Sequence, residues 1–162
     1  MKEQATQGRT VHHATIVVDC RYDASPSRVF NAWANTAERA AWDVPGDDWE
    51  IAEHEQDFRV GGREASRFGP KGDTRYSSEG RYLDIVPNAR IVSAGTMHDG
   101  ESRTSTTLCT IELLANGGGT RLILTDQSAF LDERESASDR ESGWGAILDK
   151  LDAYLKRRPA SA

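Results

Sequence analysis

The sequence predicts an α+β fold, with one long C-terminal helix laid over an antiparallel sheet of about six to seven strands. Three observations carry this. Trp144, Ile147, Leu148, Leu151, Tyr154 and Leu155 fall at the spacing of a single buried helical face. Six stretches between residues 49 and 129 have strand character, and only short turn segments separate them. Such connections leave no room for crossover helices, so neighbouring strands run antiparallel. One more strand and two short helices precede them, and a long amphipathic helix then has one place to bury its stripe, the concave face of the twisted sheet.

Each element follows from local chemistry. Residues 1–11 are polar and read as a flexible arm, leaving 12–158 as a single domain. A strand covers 14–22, built on the β-branched run Ile16-Val17-Val18. Ser25 and Pro26 supply the cap and first turn of a short helix whose Val29, Phe30 and Trp33 share one side. A second short helix covers 36–42, with Thr36 as its expected cap. Further strands are predicted at 49–54, 63–68, 75–86, 90–97, 102–114 and 121–129. Gly61-Gly62, Pro87-Asn88, His98-Asp99-Gly100 and the segments 70–73 and 116–119 turn the chain between them. The closing helix begins near Ser136 and runs to about Arg157, where Lys156, Arg157 and Arg158 complement the negative end of its dipole.

Composition narrows the partners. Of 162 residues, 37% are apolar and 28% charged, and a net charge of −6 is spread among interspersed acids and bases. Nucleic acid or an anionic membrane would select clustered Lys and Arg, so neither is expected as the main partner. No apolar run approaches the ~18 residues needed to span a bilayer. The first residues lack the apolar stretch of a secretory signal, so a cytoplasmic location is expected. Cys20 and Cys109 both fall in strands and read as buried thiols, although sequence alone leaves a disulfide open. His12-His13 has no further ligand at metal-site spacing, so no metal and no cofactor are expected.

The closing helix has a break in its stripe. Upstream of Trp144 the same face carries Arg140 or Glu141 and then Ala137, with Gly143 beside the tryptophan. A glycine inside a helix costs roughly 1 kcal/mol relative to alanine, and one that leaves volume on this face suits the lining of a cavity. Candidate cavity residues are Trp42, Phe58, Tyr82, Phe130, Trp144 and Leu148; the alternative is that they simply fill the core. In strand 75–86, strict alternation groups Glu79 and Arg81 with Leu83 and Ile85. If that face points inward, Glu79 and Arg81 approach the cavity and need a partner such as Arg63. If Tyr82 points inward instead, the charges are solvated. His54 and His98 lie near strand ends and have the chemistry of general bases, but spacing places no nucleophile or paired carboxylate beside them. Gly117-Gly118-Gly119 is a hairpin turn, since a strand follows it where a phosphate loop requires a helix.

Several local patterns occur in a familiar order. They are residues 22–33, reading Tyr-Asp-Ala-Ser-Pro-Ser-Arg-Val-Phe-Asn-Ala-Trp, then Trp42 with its Pro-Gly loop, and Phe58-Arg59-Val60-Gly61-Gly62-Arg63. Gly80-Arg81-Tyr82-Leu83-Asp84-Ile85-Val86-Pro87, Gly118-Gly119-Thr120-Arg121-Leu122, Gly143-Trp144 and Leu148-Asp149-Lys150-Leu151 follow. In order and spacing these resemble the SRPBCC superfamily, more narrowly the branch related to the C-terminal domain of the heat-shock-protein-90 ATPase activator, over about residues 14–156. The resemblance implies a helix-grip fold, a curved sheet around the long C-terminal helix, with an internal cavity that commonly accepts apolar or amphipathic molecules. It implies no catalytic residues, because the superfamily has no shared catalytic set. The eukaryotic co-chaperone has a separate N-terminal domain that contributes to chaperone binding, which these residues do not accommodate, so a chaperone partner is not expected. The functional expectation is a binding protein for an apolar or amphipathic small molecule. The alternatives are a cyclase- or dehydratase-like enzyme acting in the same cavity, and a co-chaperone-like interaction module. A homodimer is compatible with each, through the exposed sheet edges.

Overall fold

In the computed structural model, which describes residues 10–158, the chain runs β1 (His12–Tyr22), α1 (Pro26–Ala34), α2 (Thr36–Ala40), β2 (Trp49–Gln56), β3 (Arg63–Pro70), β4 (Tyr76–Val86), β5 (Arg90–Asp99), β6 (Ser102–Asn116), β7 (Gly119–Phe130) and α3 (Ala137–Arg157). Most of the arm expected at 1–11 lies outside the described residues. The seven strands form one antiparallel sheet in the order β1-β7-β6-β5-β4-β3-β2. β1 and β2 are thus opposite edges, and α1 and α2 carry the chain from one to the other.

Alternation decides which side chains face the core. In β1, Ile16, Val18, Cys20 and Tyr22 turn inward while Val17, Asp19 and Arg21 face out. In β7, Thr120, Leu122, Leu124, Asp126, Ser128 and Phe130 are all buried. The helices lie against this inner face. Val29, Phe30 and Trp33 of α1 share a core with Leu122 and Leu124 of β7 and with Leu148, Leu151, Tyr154 and Leu155 of α3. Ser136 caps α3 by accepting a hydrogen bond from the Asp139 amide at 3.2 Å. The α2 cap differs from expectation. Asn35, in extended conformation, ends α1 and caps α2 through its Oδ1, 3.0 Å from the Glu38 amide, so Thr36 is the first helical residue.

A β-bulge changes the reading of β4. Tyr82 pairs with Ser93 and Asp84 with Val92, so Leu83 is the extra residue. The bulge leaves Tyr82 inward at 1% exposure and Leu83 outward at 52%, and returns Ile85 to the core side. Strict alternation would have kept Leu83 and Ile85 together. One close approach lies next to it: Gly80 and Gly95 are paired across β4 and β5, and a Cβ on Gly95 would sit 2.3 Å from the Glu79 carbonyl oxygen. Cys20 and Cys109 are both free thiols. Among the described residues, no helix is long and apolar enough to cross a membrane.

Candidate functional site

A cavity of about 670 Å³ lies between the first half of α3 and the inner face of the sheet. Aromatic rings form part of its walls. Trp49 stacks on Tyr76 at 5.7 Å with Phe68 beside both, and Phe58 meets the Tyr82 ring edge-on at 4.9 Å. Gly143 faces this space: a Cβ placed there meets nothing within 4 Å. The missing side chain on the α3 stripe is therefore part of the cavity.

Two arginine-centred networks stand in the walls. The first joins α2 and its following loop to β2, β3 and β4. Arg39 donates through Nε to Asp43 Oδ2 at 3.0 Å and through Nη1 to Glu64 Oε2 at 2.8 Å. The same Nη1 lies 3.1 Å from the Tyr82 hydroxyl, and the guanidinium sits over the Trp33 ring at 5.3 Å. Gln56 is oriented by donating to the Trp33 and Ala34 carbonyls, which aims its Oε1 at the Tyr82 hydroxyl, 2.7 Å away. Burial opposes the charge on Arg39, but Asp43 and Glu64 outweigh it and hold the guanidinium firmly protonated. Burial pushes the Asp43 carboxyl above its usual range, with Arg39 pulling it back. It pushes the Tyr82 hydroxyl up as well.

The second network ties α3 to β6 and β7. Arg140 donates to Asp126 Oδ2 at 3.0 Å, to Ser105 at 2.7 Å and to Thr107 at 3.0 Å, and it grips both oxygens of Glu135. Trp144 donates its indole N–H to the same Asp126 oxygen at 2.8 Å, and Ser128 donates to the other. Asp126 is 0% exposed. Its charge is tolerated because both oxygens accept hydrogen bonds and one of the donors is a guanidinium. Burial alone would lower the Arg140 pKa, but Glu135 and Asp126 raise it.

The residues singled out in the sequence separate into two groups. Phe58, Tyr82 and Trp144 line the cavity. Trp42, Phe130 and Leu148 are core instead: Trp42 packs edge-on against Trp33 and donates to the Ala32 carbonyl, Phe130 lies beneath Arg140, and Leu148 belongs to the apolar half of α3. Glu79 borders the cavity, but its carboxylate is 63% exposed and paired with Arg63 at 3.0 Å. Arg81 faces solvent and donates to the Gly61 carbonyl. Tyr82 holds the inward position, and alternation puts its two neighbours outside. His54 is half-buried beside the first network; burial and Arg39 lower its pKa, and its Nδ1 has no partner among the described residues. No group of three or more His, Cys, Asp and Glu among the described residues has metal-binding geometry.

Sequence reasoning missed Arg39, Asp43, Glu64 and Asp126. Two of these had a usable signal. Asp126 keeps the phase of Leu122, Leu124 and Phe130, and Glu64 keeps that of Phe68, so a strand with one apolar face turns both inward.

Comparison with known proteins fits this geometry. A family model described as activator of Hsp90 ATPase homolog 1-like protein matches residues 23–156. The solved structure of Mll3558 from Rhizobium loti is 42% identical, with 91% of this chain and 100% of that one covered and a TM-score of 0.81. A protein from Rhizobium leguminosarum is 35% identical over 91% and 97% of the two chains, with a TM-score of 0.83. An AHSA1-like protein from Aeromonas hydrophila shares the fold at 19% identity, covering 89% and 93% with a TM-score of 0.69. No curated protein matches the chain.

Proposed function

The chain belongs to the family of activator of Hsp90 ATPase homolog 1-like proteins, and within it we propose that this member binds an apolar or amphipathic small molecule between α3 and the sheet. The observation that carries the reading is the cavity itself. At about 670 Å³ it falls within the roughly 300–1,000 Å³ of small-molecule sites, and it combines apolar and aromatic wall with polar groups held in place by networks. Gly143 supports the reading, since a helix filling a closed core would gain from any larger residue there.

Thermal shift against a panel of apolar and amphipathic compounds tests it, with native mass spectrometry of freshly purified protein beside it. A compound present at a hundredfold its Kd stabilises the fold by about 2.7 kcal/mol. The expected result is stabilisation by some of the panel that is lost in Gly143→Leu, whose side chain occupies the cavity. A panel that gives no shift, with no copurified ligand, overturns the reading.

A second reading, an enzyme resembling the cyclases and dehydratases of the superfamily, draws on Asp43 and Glu64, acid–base groups in the wall beside the Tyr82 hydroxyl. Its test is turnover of a bound compound that disappears in Glu64→Gln while binding persists. Binding without turnover leaves the first reading alone.

A further inference from the structure

Resting on the reading that the cavity binds a small molecule, we propose that the ligand is an organic cation, an amine with an apolar or aromatic body, and that its charged group sits against Asp43 and Glu64. The sign of the cavity carries this. Seven carboxylates and three arginines border it. Glu79 and Asp99 are neutralised from outside by Arg63 and Arg75. The remaining five acids still outnumber the arginines.

The two networks differ in what they leave open. Around Arg140, both oxygens of Asp126 and both of Glu135 already accept hydrogen bonds from the protein. Around Arg39, one cation faces two carboxylates, and it takes only one oxygen from each. Asp43 Oδ1 and Glu64 Oε1 receive no hydrogen bond from the described residues, and neither is closed off among the buried orphan atoms. Two acceptor oxygens carrying one surplus negative charge thus stand in the cavity wall. An ammonium donates up to three hydrogen bonds from a compact charge, and charge-assisted bonds of this kind are about twice as strong as neutral ones.

The neighbouring wall suits the rest of such a ligand. The Phe58 and Tyr82 rings border the same cavity, and aromatic faces attract cations within about 6 Å. An anionic amphiphile finds the opposite situation. Each inward arginine already faces two carboxylates, so an incoming carboxylate would add a third negative charge to a site whose one cation is already outnumbered.

Three probes with one body and three head charges test this: 4-phenylbutylamine, 4-phenylbutanol and 4-phenylbutyrate, titrated calorimetrically into the full chain at neutral pH. The amine is expected to bind roughly tenfold or more tightly than the alcohol, because only the amine brings a positive charge to the two carboxylates, with the carboxylate weakest. In Glu64→Gln, and separately in Asp43→Asn, the amine is expected to lose more affinity than the alcohol, so that the preference between them shrinks. An alcohol or carboxylate that binds as tightly as the amine overturns the cationic assignment and leaves the binding function standing. No binding by any of the three overturns both.

Discussion

Replacing Arg140 with methionine tests whether the polar half of α3 is held by a buried charge network. Methionine keeps an unbranched apolar stem and removes the guanidinium, together with its contact over the Phe130 ring. Asp126 would keep its donors from Ser128 and Trp144 but lose the one cation within reach, at 0% exposure. Glu135 suffers less, because its side chain is already 22% exposed and can turn to water. Breaking a buried pair from one side costs about 3–5 kcal/mol, because the remaining charge stays buried and uncompensated. Domains of this kind have about 5–15 kcal/mol in total, so R140M should move the urea midpoint far down at unchanged slope. Asp126→Asn in the same background removes the stranded charge while keeping an acceptor for Trp144. The double variant should therefore be more stable than the sum of the single losses implies, with a coupling of about 1–3 kcal/mol. If R140M costs less than about 1 kcal/mol, or the two losses simply add, Arg140 is solvated at the cavity mouth and the network is not structural.

Other consequences follow from single positions. Gly143→Ala meets open space and gains helix propensity, so it should stabilise the fold by about 0.5–1 kcal/mol, seen as a Tm rise of roughly 1–4 °C; a fall would mean that the position is not free. Burial pushes the Cys109 thiol up to about 12, so labelling by iodoacetamide at pH 8 should be far slower in the native protein than in urea, and equal rates would contradict a thiol held protonated in the cavity wall. His54 has its pKa lowered by burial and then by Arg39. Its contribution to stability is present above the unfolded value near 6.5 and is lost as pH falls through the lower folded value. His54→Gln should therefore lose less stability than the parent between pH 7 and pH 5, read from urea midpoints at each pH; parallel losses would refute the assignment.

How far these features were legible in the sequence depends on the range of the signal. Strand alternation and the 3.6-residue stripe are local, and every predicted strand and helix has a counterpart within a few residues of its expected ends. The exceptions have local causes of a different kind. Asn35 competes with Thr36 for the cap because both side chains can accept from the first turn, and only backbone conformation decides between them. The bulge at Leu83 is one inserted residue that alternation does not register. The cavity networks are harder. Arg39 and Asp43 stand four apart in a short polar segment, which reads as an exposed pair until Glu64 and Tyr82 close over it from β3 and β4. Burial of a charge is decided by partners from other elements, and no periodicity reports them.

The break in the α3 stripe has a physical reason once Asp126 is in view. An empty apolar gap between helix and sheet forfeits dispersion contacts on both walls, and a structure free to relax closes it as far as it can. Here it is not free. Arg140 and Trp144 both donate to Asp126, a carboxylate anchored in β7 between Leu124 and Phe130, and these bonds fix the separation and angle of the helix where no side chain fills the space. On the far wall, Arg39 fixes the end of α2 to β3 and β4 in the same way. Directional bonds of fixed length thus act as struts where apolar contacts would allow collapse. Gly143 lies one position before Trp144, so the helix leaves its gap beside one of its struts. The polar residues on the stripe and the missing side chain are therefore one device: the first keeps the walls apart, and the second leaves room between them.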